Sequence, residues 1–342
     1  MQVSRAMSLP HRLCTAPMMD WSDRHCRYFF RRLARHAVVY TEMVTTGALL
    51  HGDVDRHLRF HPDEHPVALQ LGGSEPADLA ACARLGERYG YDEINLNCGC
   101  PSERVQRGAF GACLMTEPAL VADCVRAMRE AVQVPVTVKH RLGIDAIEDY
   151  GFVRDFVGAL AAAGCETFLV HARNAILKGL SPRDNREVPP LKYDYVERLG
   201  RDFPALRFIV NGGIDTLEKV AHHLDRADGV MLGRAAYHDP WILAQAGHRF
   251  LGEPARHRSG VVREMHAYAR DEVASGTPLR AIARHMLGLY HGQPNARTWR
   301  RMLSDAQRLA RNDPGLLLEA MESAEPSGHS RVAPGTGIAR DA

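Results

Sequence analysis

Lysine is nearly missing from this 342-residue chain: Lys139, Lys178, Lys192 and Lys219 stand against 39 arginines. No uncharged run approaches the ~18–20 apolar residues that span a bilayer, and the first twelve residues lack an apolar signal core. Membrane insertion and secretion are therefore not expected. The eight cysteines show no repeated spacing, which sets aside a disulfide scaffold and suits reduced thiols in a cytoplasm. Apolar residues at 45% and charged residues at 25% exclude a collagenous or wholly disordered chain. At ~150 residues per domain the length suggests two domains, although one barrel can use 200–250 residues.

The net charge of +2 hides an asymmetry. Residues 256–311 carry eleven arginines against four acidic residues, +7, which leaves −5 on the remainder. A mildly acidic body with a basic C-terminal segment points to a polyanionic partner, or to an arginine-rich solvated helical face.

Short β-branched runs recur at Leu13–Ala16, Val38–Met43, Val67–Leu71, Glu93–Asn97, Val134–Lys139, Thr167–His171, Arg207–Asn211 and Gly229–Gly233. Segments with helical spacing lie between them, among them Glu75–Tyr89, Glu117–Val132, Tyr150–Ala163 and Thr216–Ala227. Eight alternating units predict an α/β fold, a closed (β/α)8 TIM barrel over residues 1–252. No Gly-x-Gly-x-x-Gly follows the first strand, which disfavours an open doubly wound sheet. A small all-helical C-terminal domain is expected over 253–322, with apolar stripes such as Ile282, Met286 and Leu289. From 323 the Gly-, Pro- and Ser-rich composition predicts a disordered tail. The segments Asn97–Met115 and Asn174–Pro190 read as long loops, a length that tends to be functional.

Barrels build their active sites at the C-terminal ends of the strands, and polar groups cluster there. The first strand ends in Pro17-Met18-Met19, the third at Gln70, and the fourth in Asn97-Cys98-Gly99-Cys100-Pro101. The fifth ends in Lys139-His140-Arg141, the sixth in His171-Ala172-Arg173, the seventh in Asn211-Gly212-Gly213 and the eighth in Gly233-Arg234. Asn211, Gly212, Gly213, Gly233 and Arg234 occupy the strand-seven and strand-eight positions where barrels grip a phosphate; the glycines also suit ordinary turns. Lys139 fits a Schiff-base nucleophile or a cation beside an electron-rich cofactor ring. His171 fits a phosphate ligand, an acid/base group or a core histidine. Cys100 in its tight turn fits a proton donor, a packed small hydrophobe or half of a Cys98-x-Cys100 metal pair, although further ligands at metal spacing are not evident.

Taken together, these segments resemble the tRNA-dihydrouridine synthases, and within them the A type. The likeness rests on Ala16-Pro17-Met18-Met19-Asp20-Trp21, Tyr40-Thr41-Glu42-Met43-Val44-Thr45, Gln70-Leu71-Gly72-Gly73 and Glu93-Ile94-Asn95-Leu96-Asn97. It rests further on Gly99-Cys100-Pro101-Ser102, on Gly179-Leu180-Ser181-Pro182-Arg183-Asp184-Asn185-Arg186-Glu187, on His171-Ala172-Arg173 and on Asn211-Gly212-Gly213-Ile214. It runs from about residue 12 to about 305. The resemblance implies an FMN-binding barrel with a helical tRNA-contacting domain, reducing the C5–C6 bond of uridine with NADPH as reductant. It implies FMN contacts by Pro17, Met18, Met19, Gln70, Lys139, His171, Asn211, Gly212, Gly213, Gly233 and Arg234, and Cys100 as proton donor to uracil C5. It implies tRNA contacts by Asn97, Arg183, Arg186, Arg297 and Arg300, at D-loop positions 20 and 20a. Cys98 and His140 depart from the family's usual residues. No metal is expected, and a monomer is the default. The competing readings are an FMN barrel acting on a free small molecule, a Schiff-base aldolase and a non-catalytic RNA-binding module.

Overall fold

The computed structural model describes residues 11–102 and 108–325. Its eight strands are β1 (Leu13–Thr15), β2 (Val38–Thr45), β3 (Val67–Gly72), β4 (Glu93–Cys98), β5 (Val136–His140), β6 (Thr167–His171), β7 (Arg207–Asn211) and β8 (Gly229–Leu232). All pair in parallel and in sequence order, and β8 closes onto β1. The fold is a TIM barrel. The fifth strand begins at Val136 rather than Val134; the intervening Pro135 has no N–H to donate to a ladder.

Alternation along each strand divides the core. Ile94, Leu96, Val136, Val138, Phe168, Val170, Phe208 and Val210 face outward and join the large cluster shared with the helices. Cys14, Ala16, Val38, Tyr40, Ala68, Leu169, Ile209 and Met231 form a separate apolar cluster. The opposite parity on β3–β5 instead carries buried polar residues, Gln70, Glu93, Asn95 and Thr137. Register then aligns the rim: Gln70 lies beside Asn95, Asn97 beside Lys139, and His171 beside Asn211.

The barrel helices are α1 (Arg24–Leu33), α2 (Thr46–His51), α3 (Val54–Leu58), α4 (Pro76–Tyr89), α5 (Pro118–Ala131), α6 (Tyr150–Ala162), α7 (Tyr193–Asp202), α8 (Leu217–Leu224), α9 (Arg234–His238) and α10 (Trp241–Leu251). The two long loops each hold a 3-10 turn, at Gly111–Thr116 and Asp184–Arg186.

Five further helices follow: α11 (Arg258–Ala274), α12 (Leu279–Ala283), α13 (Ala296–Ser304), α14 (Ala306–Ala310) and α15 (Leu316–Ala324). Ile282, Met286 and Leu289 are fully buried among them. The last helix continues through Ala324, past the expected start of the tail at 323, because Leu317, Ala320, Met321 and Ala324 bury an apolar face. The rest of the expected tail, residues 326–342, lies outside the described residues, as do residues 1–10.

The helical segment is bonded to the barrel by named polar contacts. The buried Glu253 carboxylate accepts the backbone N–H groups of Arg35 and His36 at 2.9 and 2.8 Å. Arg24 donates to both oxygens of Glu272 at 2.7 and 2.6 Å. Asp23, which caps α1, accepts from Arg284 at 2.6 Å and lies 3.0 Å from His285 Nε2. No helix among the described residues is long and apolar enough to cross a membrane.

Candidate active site

The rim is built from strand ends. After β1, Met18 opens a turn in which its N–H donates to the Ser22 hydroxyl at 2.9 Å, while Trp21 and Ser22 donate back to its carbonyl. Pro17 and Met18 are half-buried and Met19 is 54% exposed, which leaves an apolar ledge at the barrel mouth. Beside it the Asp20 N–H donates to Glu42 Oε1 at 2.5 Å, and burial raises the pKa of that carboxyl.

After β4 the side chain of Asn97 organises the turn. Its Oδ1 accepts from the Gly99 and Cys100 N–H groups at 3.1 and 3.0 Å, and its Nδ2 donates to Gln70 Oε1 at 2.8 Å. Cys100 is half-buried, with its thiol 3.6 Å from the Ser102 hydroxyl. Cys98, two residues earlier, is fully buried in the outer cluster, where burial drives its thiol pKa well up. The two thiols therefore occupy different environments, and only Cys100 belongs to the rim.

Cations converge opposite this turn. Lys139 Nζ donates to Asn211 Oδ1 at 3.2 Å; burial, with Arg141 adding repulsion, pushes its pKa down to about 7. Arg141 is buried and binds three carbonyls, Gly99 at 3.2 Å, Asn174 at 3.2 Å and Asn185 at 2.9 Å. His171 is buried, and its Nδ1 has no hydrogen-bond partner among the described residues. Its pKa is held well below the usual value by burial and then by Arg141, Lys139, Arg173 and Arg186. Arg173 likewise leaves Nε and Nη1 buried and unpaired among the described residues. Such groups are costly without an anion, so this donor set suits a negatively charged ligand at the mouth.

Gly212 and Gly213 complete that wall at φ values of +110° and +69°. A Cβ on Gly213 would lie 2.7 Å from Leu191, and one on Gly212 would lie 3.4 Å from the His171 ring. Tyr193 donates to the Gly212 carbonyl at 2.6 Å and fixes the turn. The positive φ values thus favour glycine at both places, and a side chain at Gly213 would collide with Leu191. Gly233 caps α9, whose first residue, Arg234, pairs with Glu187 and donates to the Arg186 carbonyl at 3.3 Å.

The family pattern described as dihydrouridine synthase matches residues 14–325, nearly the whole described chain. The chain belongs to the dihydrouridine synthase family. A tRNA-dihydrouridine(20/20a) synthase of Pseudomonas syringae pv. tomato is 56% identical over 313 residues, 91% of this chain and 93% of the relative. An enzyme of the same name from Escherichia coli K12 is 54% identical over 314 residues, 91% of each chain. One from Salmonella typhi is 53% identical over 323 residues, 93% of this chain and 97% of the relative.

The loop between β6 and α7 is folded around Asn185, which is fully buried and exchanges hydrogen bonds with Ile176 N–H at 2.7 Å and its carbonyl at 2.8 Å. That anchor leaves Arg183 and Arg186 exposed on either side. On α13, Trp299 is fully buried and donates to the Met286 carbonyl at 2.9 Å, so it packs in the core rather than offering a stacking face. Its neighbours Arg297 and Arg300, three residues apart on one helical face, are exposed. No hydrogen bond or ion pair among the described residues joins these two arginines to the barrel mouth.

Arg141 and Arg173 also belong to the mouth, although the strand-end pattern assigned a role to neither. Each lies two positions beyond a predicted site residue, Lys139 and His171. Strand periodicity carried one step past the strand end would have pointed to both. His140 takes the other parity: it is buried against Phe156 and Phe168 with burial pushing its pKa down to about 4.

Proposed function

We propose that the protein reduces uridine to 5,6-dihydrouridine at D-loop positions 20 and 20a of tRNA, with FMN as its bound cofactor and NADPH as the reductant. The observation that carries this reading is the junction of an anion-seeking cation cluster with a thiol-bearing turn at one barrel mouth, in a chain so similar to enzymes of that name. FMN, when bound, supplies the hydride that adds to uracil C6.

The residues present suit that cofactor. His171 Nδ1, Arg173 and Lys139 offer donors that the protein itself does not fully satisfy among the described residues, and Gly212 lies against the His171 ring. Lys139 is the cation best suited to an electron-rich ring edge, since charge there would restore the ammonium that burial disfavours. Gln70, Asn211 and the Pro17–Met19 ledge complete the cofactor wall, and Gly233 and Arg234 close its phosphate end.

Cys100 delivers the proton to uracil C5. The thiol needs no charge for this; it needs to be near the carbon and held still, which the bonds from Gly99 and Cys100 N–H to Asn97 provide. Reaching the mouth requires the target nucleotide to leave its stack, at a cost of a few kcal/mol. Arg183, Arg186, Arg297 and Arg300 would offset that cost by holding phosphates on two separate elements. The outcome is a two-domain enzyme, a catalytic barrel over 1–252 and a helical docking segment that runs from 253 through its last helix at Ala324, acting as a monomer in the cytoplasm.

The test is direct. Purified protein should show flavin absorption and should convert unmodified tRNA to dihydrouridine-containing tRNA on addition of NADPH, read as a two-hydrogen mass increase at positions 20 and 20a. A colourless preparation that gains no activity with added FMN would refute the proposal.

A further inference from the structure

The interior of the barrel holds a polar chain that the rim chemistry does not by itself demand. Glu93, at the start of β4, is fully buried, and its Oε1 accepts from the Thr137 hydroxyl at 2.6 Å and the Tyr40 hydroxyl at 2.7 Å. Its Oε2 faces His11 Nε2 at 2.5 Å. From Thr137 the chain climbs toward the mouth. Asn95 Nδ2 donates to Thr137 Oγ1 at 2.8 Å, Gln70 Nε2 donates to Asn95 Oδ1 at 2.7 Å, and Asn97 Nδ2 donates to Gln70 Oε1 at 2.8 Å. The last member, Asn97 Oδ1, receives the Gly99 and Cys100 N–H groups.

Every donor in this chain points down toward Glu93, and elementary hydrogen-bond logic says why. A carboxylate only accepts, so Thr137 must donate its single proton to Glu93 and can only accept from Asn95. Asn95 must then turn its NH2 to Thr137 and its carbonyl to Gln70. Gln70 must turn its NH2 to Asn95 and its carbonyl to Asn97. Asn97 is left with its carbonyl facing the backbone of the Cys100 turn. Reversing any one amide would oppose two like groups in a buried site, which costs the full desolvation of both. Packing does not explain the polar residues, since the rest of the interior is filled by Val38, Ala68, Leu169, Ile209 and Met231.

We propose that Glu93 is a positioning residue for the rim: through Thr137, Asn95, Gln70 and Asn97 it fixes which way each amide faces and thereby holds the Cys100 turn in place. This rests on the reading of Cys100 as the proton donor. The requirement is for two accepting positions on one oxygen, not for charge. A glutamine at 93 can keep Oε1 on Tyr40 and Thr137 and turn its NH2 to His11 Nε2, so it should preserve the sense of the chain.

Thr137→Val removes the one directing proton at nearly constant volume, and Thr137→Ser restores it. In flavin-loaded protein, Thr137→Val should lower kcat for dihydrouridine formation about tenfold or more while KM for tRNA stays within about twofold, and Thr137→Ser and Glu93→Gln should stay within about threefold of the parent. Alkylation of Cys100 by iodoacetamide, followed by peptide mass spectrometry, should speed up about threefold or more in Thr137→Val alone. Equal alkylation and turnover in parent and Thr137→Val would overturn the proposal. So would a Glu93→Gln enzyme as impaired as Thr137→Val, or a loss in Thr137→Val that serine does not rescue. If the parent itself makes no dihydrouridine, the proposed function fails, and the alkylation rates still decide whether the chain holds the turn.

Discussion

The molecule carries two sets of cations that differ in almost every physical respect. At the barrel mouth Lys139, Arg141, His171 and Arg173 sit on strand ends, largely or partly buried, and burial lowers the pKa of each. On the helical segment Arg297, Arg300 and Arg301 stand in solvent on one short helix. A desolvated cation with unpaired donors is tolerable only beside an anion fixed in one place, whereas a solvated one gains little from any single partner. On the proposed function, the first set suits one small anionic ligand in one pose. The second suits the proposed tRNA, a mobile polyelectrolyte whose many phosphates can be met approximately.

Three variants test that division and the attachment of the helical segment, in order of expected effect. Lys139→Met should weaken FMN binding by about 1.5–3 kcal/mol, roughly ten- to hundredfold, because it removes a charge-assisted bond in a dry site. Fluorescence titration of the cofactor measures it, and tRNA affinity should barely change. Arg297→Glu with Arg300→Glu should do the reverse: the flavin spectrum stays intact, tRNA binding weakens, and the slope of log affinity against log salt falls by about one for each phosphate left without its arginine. A variant that bleaches the flavin, or that binds tRNA with an unchanged slope, would break the comparison. Asp23→Asn should have the smallest effect, about 1 kcal/mol, felt as looser attachment of the helical segment. Burial opposes the charged Asp23, but the bonds from His285, the Cys26 N–H and Arg284 outweigh it and lower its pKa. Its contribution is therefore present above the unfolded carboxyl's pKa of ~3.9 and is lost as pH falls further, so the variant's stability should depend less on pH in acid.

The mouth also predicts a pH dependence with a definite sign. Lys139 loses its proton near pH 7 in the ligand-free protein. An anionic ligand favours the ammonium, so binding above that pH takes up a proton, and FMN affinity should fall as pH rises from about 7 to about 9. Calorimetry in buffers of different ionisation enthalpy would read the proton uptake; a flat affinity over that range would remove Lys139 from the ligand's charge balance.

How much of this was legible in the sequence follows from the range of the interactions. The strands were legible because period-two apolar runs need only local reading, and their ends carried the site residues along. Helix α1 was not, because Arg27 and Arg31 make its sequence look solvated while both are buried, one on Glu64 and the other on the carbonyls of Ala34, Arg35, Glu64 and Pro66. Arg141 escaped for a related reason: its value lies in three carbonyls from distant loops. The Glu93 chain was invisible since its side-chain links run between strands. What pairs across strands has no signature along one.

The proposed reaction turns on which thiol gives up the proton. Cys100→Ala and Cys98→Ala should be purified, checked for flavin absorption, and assayed on unmodified tRNA for dihydrouridine. The predicted result is a yellow Cys100→Ala protein whose turnover drops by about 10²–10⁴, beside a Cys98→Ala protein that remains active. A Cys100→Ala protein of near-normal turnover, with the loss appearing in Cys98→Ala instead, would contradict it.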